Sequence, residues 1–101
     1  MKQTAPRKST AKAARLALPA RMETGSLGAL VRKMRSHCKA QRSILVIDGG
    51  AVSVIDFAGV QLLVAFVAAM QRTGCALSWE NYSVQVYQMA SELGLAEQLG
   101  G

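Results

Sequence analysis

Two aspartates that follow apolar segments are the first candidates for chemistry in this chain of 101 residues. Asp48 and Asp56 each end a run rich in β-branched side chains, and a pair of carboxylates can serve general acid–base catalysis. The only histidine, His37, lies in a basic segment away from both, so no Ser-His-Asp set is indicated. Asp56 also precedes a helical segment, where a carboxylate caps free backbone N–H groups. We therefore expect no catalytic residues and no enzyme.

The two cysteines, Cys38 and Cys75, do not have the spacing of a metal or redox site. Together with one histidine they are too few for a zinc site built from these residue types. The glycines at 25–28 and 49–50 indicate turns, because neither the G-x-x-x-x-G-K-[ST] nor the G-x-G-x-x-G pattern of a phosphate-binding loop occurs. We therefore expect free thiols in a reducing cytoplasm, with no metal and no cofactor.

Positive charge is concentrated at the start of the chain. Residues 1–21 contain six basic and no acidic side chains, whereas residues 22–101 contain six of each. The polar composition of residues 1–13 predicts a disordered leader, followed by one domain over residues 14–101. Such a leader suits either attraction to nucleic acid or an anionic membrane, or a solvated tail. The neutral body gives no reason to expect specific nucleic-acid binding.

The apolar segments are too short for a membrane span. The longest one, residues 60–70, contains Gln61 and covers about half of the roughly 20 residues that a bilayer requires. The first apolar run also lacks the charged start and the cleavage site of a secretory signal. We therefore expect a cytoplasmic protein.

The hydrophobic pattern alternates between strands and helices. Residues 43–48 are continuously apolar up to Asp48, which predicts a central strand covered on both faces. Residues 58–72 predict a helix that is apolar on nearly every side and needs extensive cover, by the sheet or by a partner. The other predicted elements are strands at 15–18, 52–56 and 75–79, an extended piece at 21–23, helices ending at 40 and spanning 83–93, and a short helical turn at 95–99. This order indicates an α/β fold with a largely parallel sheet.

Polar side chains and glycines indicate where the helices begin and end. A hydroxyl or carboxylate before a helix can accept hydrogen bonds from its free N–H groups. The predicted caps are Thr24 or Ser26 for the first helix, Asp56 for the second and Ser83 for the third. Gly74 and Gly94 are expected to end the second and third helices, because glycine readily adopts the left-handed conformation that follows many helices.

Several segments resemble the STAS domain family, which includes anti-sigma-factor antagonists and the cytoplasmic domains of sulfate transporters. The most specific of them is residues 52–63; the others are 44–48, 79–83 and 93–95. The resemblance covers most of the chain after the leader. It implies a single α/β domain with four or five strands in a mostly parallel or mixed sheet, and with helices packed on one side. It also implies a role in binding another protein.

The functional centre of that family is a loop that reads Asp, then Ser or Thr, then a small residue, then Gly. Here the loop reads Asp56-Phe57-Ala58-Gly59, so Phe57 stands where the resemblance implies a hydroxyl that a partner kinase phosphorylates. Phenylalanine cannot accept a phosphate, and we expect no phosphoswitch at this position. Ser53, upstream, is either a substitute acceptor or an ordinary strand residue. Phe57 is either an exposed apolar anchor for a partner or a side chain that folds back onto the core.

These observations predict a non-catalytic, bacterial-type regulatory module that binds a protein partner. The expected centre of the partner surface comprises Asp56, Phe57, Ala58, Gly59 and Val60, with Asp48 and Ser53 as supporting neighbours. The resemblance implies an anti-sigma factor or related kinase as partner. The alternatives are an accessory subunit on the ATPase of an ABC-type phospholipid transporter and a chemotaxis-linked signalling adaptor. We expect a monomer or a weak homodimer.

Overall fold

A computed structural model describes residues 14–99 of the chain, so the predicted leader at 1–13 lies outside the described residues. The described part contains five strands, three helices and one 3-10 turn. In chain order they are β1 (Ala14–Ala17), β2 (Arg21–Met22), α1 (Gly28–Lys39), β3 (Ile44–Asp48), β4 (Val54–Ile55), α2 (Phe57–Arg72), β5 (Ala76–Glu80), α3 (Val84–Glu92) and the 3-10 turn Glu97–Leu99. The alternation of strands and helices predicted from the sequence is confirmed.

All strand pairs are parallel, as the α/β pattern predicted. The strands form two sheets, one of three strands in the order β1-β3-β5 and one of two in the order β2-β4. Pro19 separates β1 from β2, and proline has no N–H to continue a ladder of hydrogen bonds. Beyond it the carbonyl of Ala20 accepts hydrogen bonds from the backbone N–H groups of Ser53 and Val54 at 2.9 and 3.1 Å. The chain therefore changes its pairing partner from β3 to β4 at Pro19.

The three-stranded sheet has one covered face and one open face. Leu16, Leu45 and Ile47 point into the core and are at most 1% exposed. The alternate positions face outward, where Ile44 is 45% exposed and Val46 is half-buried. The expectation that β3 is covered on both faces is therefore wrong for the described residues. The strand is central because β1 and β5 flank it, and flanking alone leaves its outer face open.

Helix α2 is the centre of the helical layer. It contacts α1 on one side and α3 on the other, and it also packs against β4 and β5. Val60, Leu63, Val67 and Met70 are each at most 1% exposed. This placement supplies the extensive cover that its apolar sequence requires.

The predicted helix ends are correct for α2 and α3 but not for the start of α1. Asp56 and Ser83 accept hydrogen bonds from backbone N–H groups of α2 and α3. Gly74 has a φ of 85°, and the N–H of Cys75 donates to the carbonyl of Met70 at 3.1 Å, the pattern of a Schellman C-terminus. Helix α1 begins after Leu27 with no side-chain cap.

The hydroxyl of Ser26 makes a turn instead of capping α1. Its Oγ lies within hydrogen-bond distance of two carbonyl oxygens, that of Glu23 at 2.8 Å and that of Arg21 at 3.1 Å, and its single proton is donated to this pair. Serine commonly forms such local bonds to the backbone in turns. Thr24 is also engaged elsewhere, as described below. The prediction that one of the two caps α1 is therefore wrong.

Candidate functional site

Asp56 joins the start of α2 to the loop that follows β2. Its Oδ1 accepts a hydrogen bond from the backbone N–H of Gly59 at 3.0 Å. Its Oδ2 accepts two from Thr24, one from the backbone N–H at 2.9 Å and one from the hydroxyl at 3.1 Å. These hydrogen bonds to its charged form, those from the Thr24 and Gly59 backbone being the strongest, hold the pKa of Asp56 below its ordinary value. The carboxylate therefore fixes the loop and the helix start in one arrangement.

Gly59 lets the first turn of α2 lie directly against β2. A Cβ at this position would clash with the backbone carbonyl of Met22 and would lie 2.8 Å from Cγ1 of Ile55. The same Met22 carbonyl accepts a hydrogen bond from the N–H of Asp56 at 3.1 Å. The glycine in this loop is thus required by a close backbone approach.

Gly59 and Val60 are buried, and Val60 is 0% exposed. They have no surface to offer a partner, so the structure corrects the expectation that both form part of the contact surface. Their role in this loop is packing, which holds the exposed residues in place. Ala58, which lies in the chain between the exposed Phe57 and the buried Gly59, is half-buried.

Phe57 is the first residue of α2, and its side chain is 56% exposed. The alternative in which it folds back onto the core is therefore wrong for this structure. An aromatic side chain that remains largely in water contributes little to folding and offers a large apolar area to a partner. Among the large hydrophobic residues of the described range, only Val84, at 64%, is more exposed than Phe57.

Ser53 and Asp48, the two residues predicted to support the partner surface, have different surroundings. The Ser53 hydroxyl donates to the carbonyl of Ala20 at 3.2 Å, and this contact supports the β2–β4 pairing close to the loop. Asp48 accepts hydrogen bonds from the N–H of Gly50 at 3.0 Å and from the amide of Asn81 at 3.3 Å. Those bonds, the Gly50 one foremost, hold the pKa of Asp48 below its ordinary value.

Asp48 belongs to a separate cluster on the open sheet face. Arg15 lies 3.5 Å from its Oδ2 and 2.7 Å from Oε1 of Glu80, so one guanidinium links the three strands. The hydrogen-bond partners of Asp48 and those of Asp56 have no residue in common. The Ser53 side chain therefore contacts the chain next to the β2–β4 pair, and the Asp48 side chain contacts residues of the three-stranded sheet and its loops.

Thr24 lies at the candidate site, whereas the sequence predicted it as a possible cap of α1. It lies 32 residues before Asp56 in the chain, and its contact depends on the β2–β4 pairing. A polar residue just after a short strand was the only signal, and it is shared by many loops. Its hydroxyl is the exposed hydroxyl that contacts the Asp56 carboxylate.

The candidate site combines an exposed aromatic side chain with a carboxylate that is engaged in local hydrogen bonds. Among residues 14–99 no cluster of three or more His, Cys, Asp or Glu side chains could hold a metal ion. Within the same range no helix is long and apolar enough to cross a membrane. The Asp56 carboxylate, with three hydrogen bonds, is engaged in positioning the loop.

The chain matches a known family over nearly its whole length. Residues 7–100 match the family model described as Mlab, STAS domain. The chain belongs to the STAS domain family. A comparison with curated proteins gives no match.

Membership of this family identifies the chain as an antagonist-like regulatory module, since STAS domains generally interact with protein partners. Asp56-Phe57-Ala58-Gly59 is the segment whose sequence resembles the family loop described above. In that loop the Asp and the Gly have structural explanations here, as helix cap and as close-contact residue. Phe57 stands where the resemblance implies a hydroxyl, and it is exposed.

Proposed function

We propose that this STAS domain is a non-catalytic, cytoplasmic binding module that holds its protein partner through Phe57 at the start of α2. The partner class that the family resemblance favours is an anti-sigma factor or a related kinase. Thr24 and Asp56, which are joined by hydrogen bonds beside the helix start, supply polar groups next to this contact, and Ala58 and Ser53 are its proposed neighbours. Gly59 and Val60 support it from the core.

The observation that carries this proposal is the exposure of Phe57. A phenylalanine that is 56% exposed at the tip of a rigid, capped helix loses little conformational freedom when it enters a pocket on another protein. Aromatic anchors of this kind often contribute a large share of the binding free energy. The capped helix start fixes the backbone that carries this side chain, and more than half of the residue is exposed.

The proposed contact is constitutive, without a phosphoryl switch on the family loop. From Val54 to Arg72 the chain contains no Ser, Thr or Tyr, so the loop and the whole of α2 lack a phosphate acceptor of this type. Two other hydroxyls are candidates, that of Thr24, which contacts Asp56, and that of Ser53, which lies upstream in the chain. Phosphate found on either of them in cells, together with partner release on its addition, would contradict a constitutive contact.

A second candidate is an accessory subunit that grips the ATPase of an ABC-type phospholipid transporter. The apolar side chain at position 57 favours it, because a permanent subunit needs an apolar anchor and no means of release. A chemotaxis-linked adaptor would use the same surface. The identity of the captured partner separates these candidates.

The test is affinity capture from the native cell at moderate salt, with wild type and Phe57→Asp as baits and mass spectrometry of the retained proteins. Val84→Asp is a matched control, because Val84 is also an exposed apolar residue directly after a capping side chain, at the start of α3. Aspartate is favourable in the first turn of a helix, so both variants should remain folded.

We expect one protein to be retained by wild type and Val84→Asp and lost by Phe57→Asp. Equal retention by all three baits would overturn the assignment of the site to Phe57. Circular dichroism and thermal melting of each bait check that the fold is intact. Material that is released by salt alone, or that proves to be nucleic acid, would also contradict the proposal and would direct attention to the basic leader.

A further inference from the structure

A shallow apolar groove runs between α1 and α2. Its floor is formed by Met34 and Phe66, which are 3% and 4% exposed. Val31, Cys38 and Leu62 form its half-buried walls. The groove encloses about 210 Å³. Such a trough between two packed helices is the shape that receives the apolar ridge of a third helix.

Helix α1, which forms one side of the groove, is positively charged. Helix α1 contains four exposed cations and no acidic residue, and α2 contains Arg72 and no acidic residue. The four cations of α1 are Arg32, Lys33, Arg35 and Lys39. None of them forms an ion pair within residues 14–99. Arg35 itself lines the groove.

The groove continues from the proposed contact at Phe57. Phe57, Gln61 and Ala65 are all exposed and lie four residues apart on α2, which places them on one side of the helix. Ala65 lines the groove. A partner seated on Phe57 can therefore extend along α2 into the space beside α1.

We propose that the α1–α2 groove binds an acidic amphipathic helix of the partner protein. This inference rests on the proposed function and names the chemistry of the partner segment. Apolar side chains of that helix fill the trough over Met34 and Phe66, and its carboxylates face Arg35 at the edge of the groove. Charge complementarity of this kind selects partners and speeds their association.

A membrane surface is a poorer occupant than a helix. Binding in the interface of a bilayer uses apolar side chains that protrude, whereas Met34 and Phe66 are recessed below the rim. A second copy of this chain is also disfavoured at the groove. Its α1 and α2 carry no acidic residue that could face the cations of the first copy.

The probe is a synthetic amphipathic helix of about 20 residues, with leucine on one face and glutamate and glutamine on the other. Its counterpart has lysine in place of glutamate and the same apolar face. Binding of each to the full chain is measured by fluorescence anisotropy at low and high salt. Anionic and neutral phospholipid vesicles form a second arm, and light scattering after size exclusion reports self-association.

Cys38 provides a readout at the groove itself. It lines the groove and is half-buried, whereas Cys75 is 5% exposed in the core. Bound peptide should slow alkylation of Cys38 in proportion to the fraction occupied. Cys75 should stay unmodified throughout, which shows that the chain remains folded during the measurement.

Arg35→Glu and Lys33→Glu form a matched pair. Both reverse an exposed charge in the middle of α1, but Lys33 faces a different depression, lined by Leu18 and Pro19. We expect Arg35→Glu to lower the affinity for the acidic peptide by about tenfold or more at low salt. Lys33→Glu should have a clearly smaller effect, and the lysine peptide should bind worse than the acidic one to wild type.

Three outcomes would overturn the inference: equal binding of the two peptides, equal effects of the two charge reversals, or Cys38 that remains unprotected at saturating peptide. Binding of anionic vesicles that protects Cys38, in the absence of peptide selectivity, would assign the groove to a membrane surface. Retention of the cellular partner by Arg35→Glu together with its loss by Phe57→Asp would leave the proposed function standing and remove the groove from it. If both variants retain the cellular partner, neither the groove nor Phe57 is its binding site.

Discussion

Asp56 and Phe57 are adjacent in the chain, but their side chains have opposite surroundings. The carboxylate accepts three hydrogen bonds from Gly59 and Thr24, whereas the aromatic ring is largely in water. One residue therefore fixes the helix start and the next presents an apolar surface. In the proposed function, this division lets the loop bind a partner with little loss of backbone conformational entropy.

Gly59→Ala tests the close contact that holds this loop. We expect it to lower the free energy of unfolding by about 1–3 kcal/mol or more, since a methyl group would press on the Met22 backbone and on Ile55. Chemical denaturation of both proteins measures the difference. Gly28→Ala is the control, because it lies in the first turn of α1 with only the end of the Arg32 side chain nearby, at 3.8 Å. A Gly59→Ala variant as stable as Gly28→Ala would contradict the packing described.

For single residues, the sequence could predict the type of side chain at the site but not the contacts between residues that are far apart in the chain. The motif at 56–59 could be read directly, including the missing hydroxyl at Phe57. The exposure of Phe57 could not be read, because it depends on where β2 and its loop lie. The link from Thr24 to Asp56 also depends on strand pairing between residues 32 positions apart.

The start of α2 is the element whose stability depends most clearly on pH. Hydrogen bonds from the Thr24 and Gly59 backbone lower the pKa of Asp56 below its ordinary value of 3.8. Its contribution to stability is therefore complete above pH 3.8 and is lost as the pH falls through the native pKa. Asp48 and Glu80, whose pKa values are also lowered, act in the same direction.

Asp56→Asn should flatten this dependence. Its free energy of unfolding should fall less steeply than that of wild type when the pH is lowered through 3.8, because asparagine has no proton to gain. Urea titrations at a series of pH values measure the two slopes. Glu92→Gln is the control, since the Glu92 side chain forms no ion pair among residues 14–99. Identical slopes for wild type and Asp56→Asn would contradict the role of Asp56.

The elements themselves could be predicted where local chemistry decides them. Glycine at 74 and 94 has positive φ and ends a helix, as expected, and β3 and α2 were visible as apolar runs. The start of α1 was placed too early because Ser26 bonds to its own turn. The open face of β3 was missed because a continuous apolar run does not distinguish a strand covered on two faces from one flanked by neighbours.

At the scale of the whole molecule, helices cover one face of the three-stranded sheet, and no element within residues 14–99 covers the other. The covered face carries Leu45 and Ile47 against the buried side of α2. The open face carries the Arg15 ion pairs with Asp48 and Glu80, and these pairs are exposed. Exposed pairs contribute little to stability, so the helical side holds the fold together.

Leu63→Ala and Ile44→Ala compare the two sides. Leu63 is 0% exposed on α2, and its truncation should cost about 2–5 kcal/mol of unfolding free energy. Ile44 is 45% exposed on the open face, and its truncation should cost about 1 kcal/mol or less. Denaturation with urea measures both. Equal costs would show that the outer face is covered in solution.

The central claim, that Phe57 anchors a protein partner without a phosphoryl switch, is tested most directly by calorimetric titration of the captured partner with wild type, Phe57→Ala and Val84→Ala. The account predicts that Phe57→Ala weakens the affinity by about tenfold or more, whereas Val84→Ala leaves it within about twofold. Affinities that are equal for wild type and Phe57→Ala would contradict it.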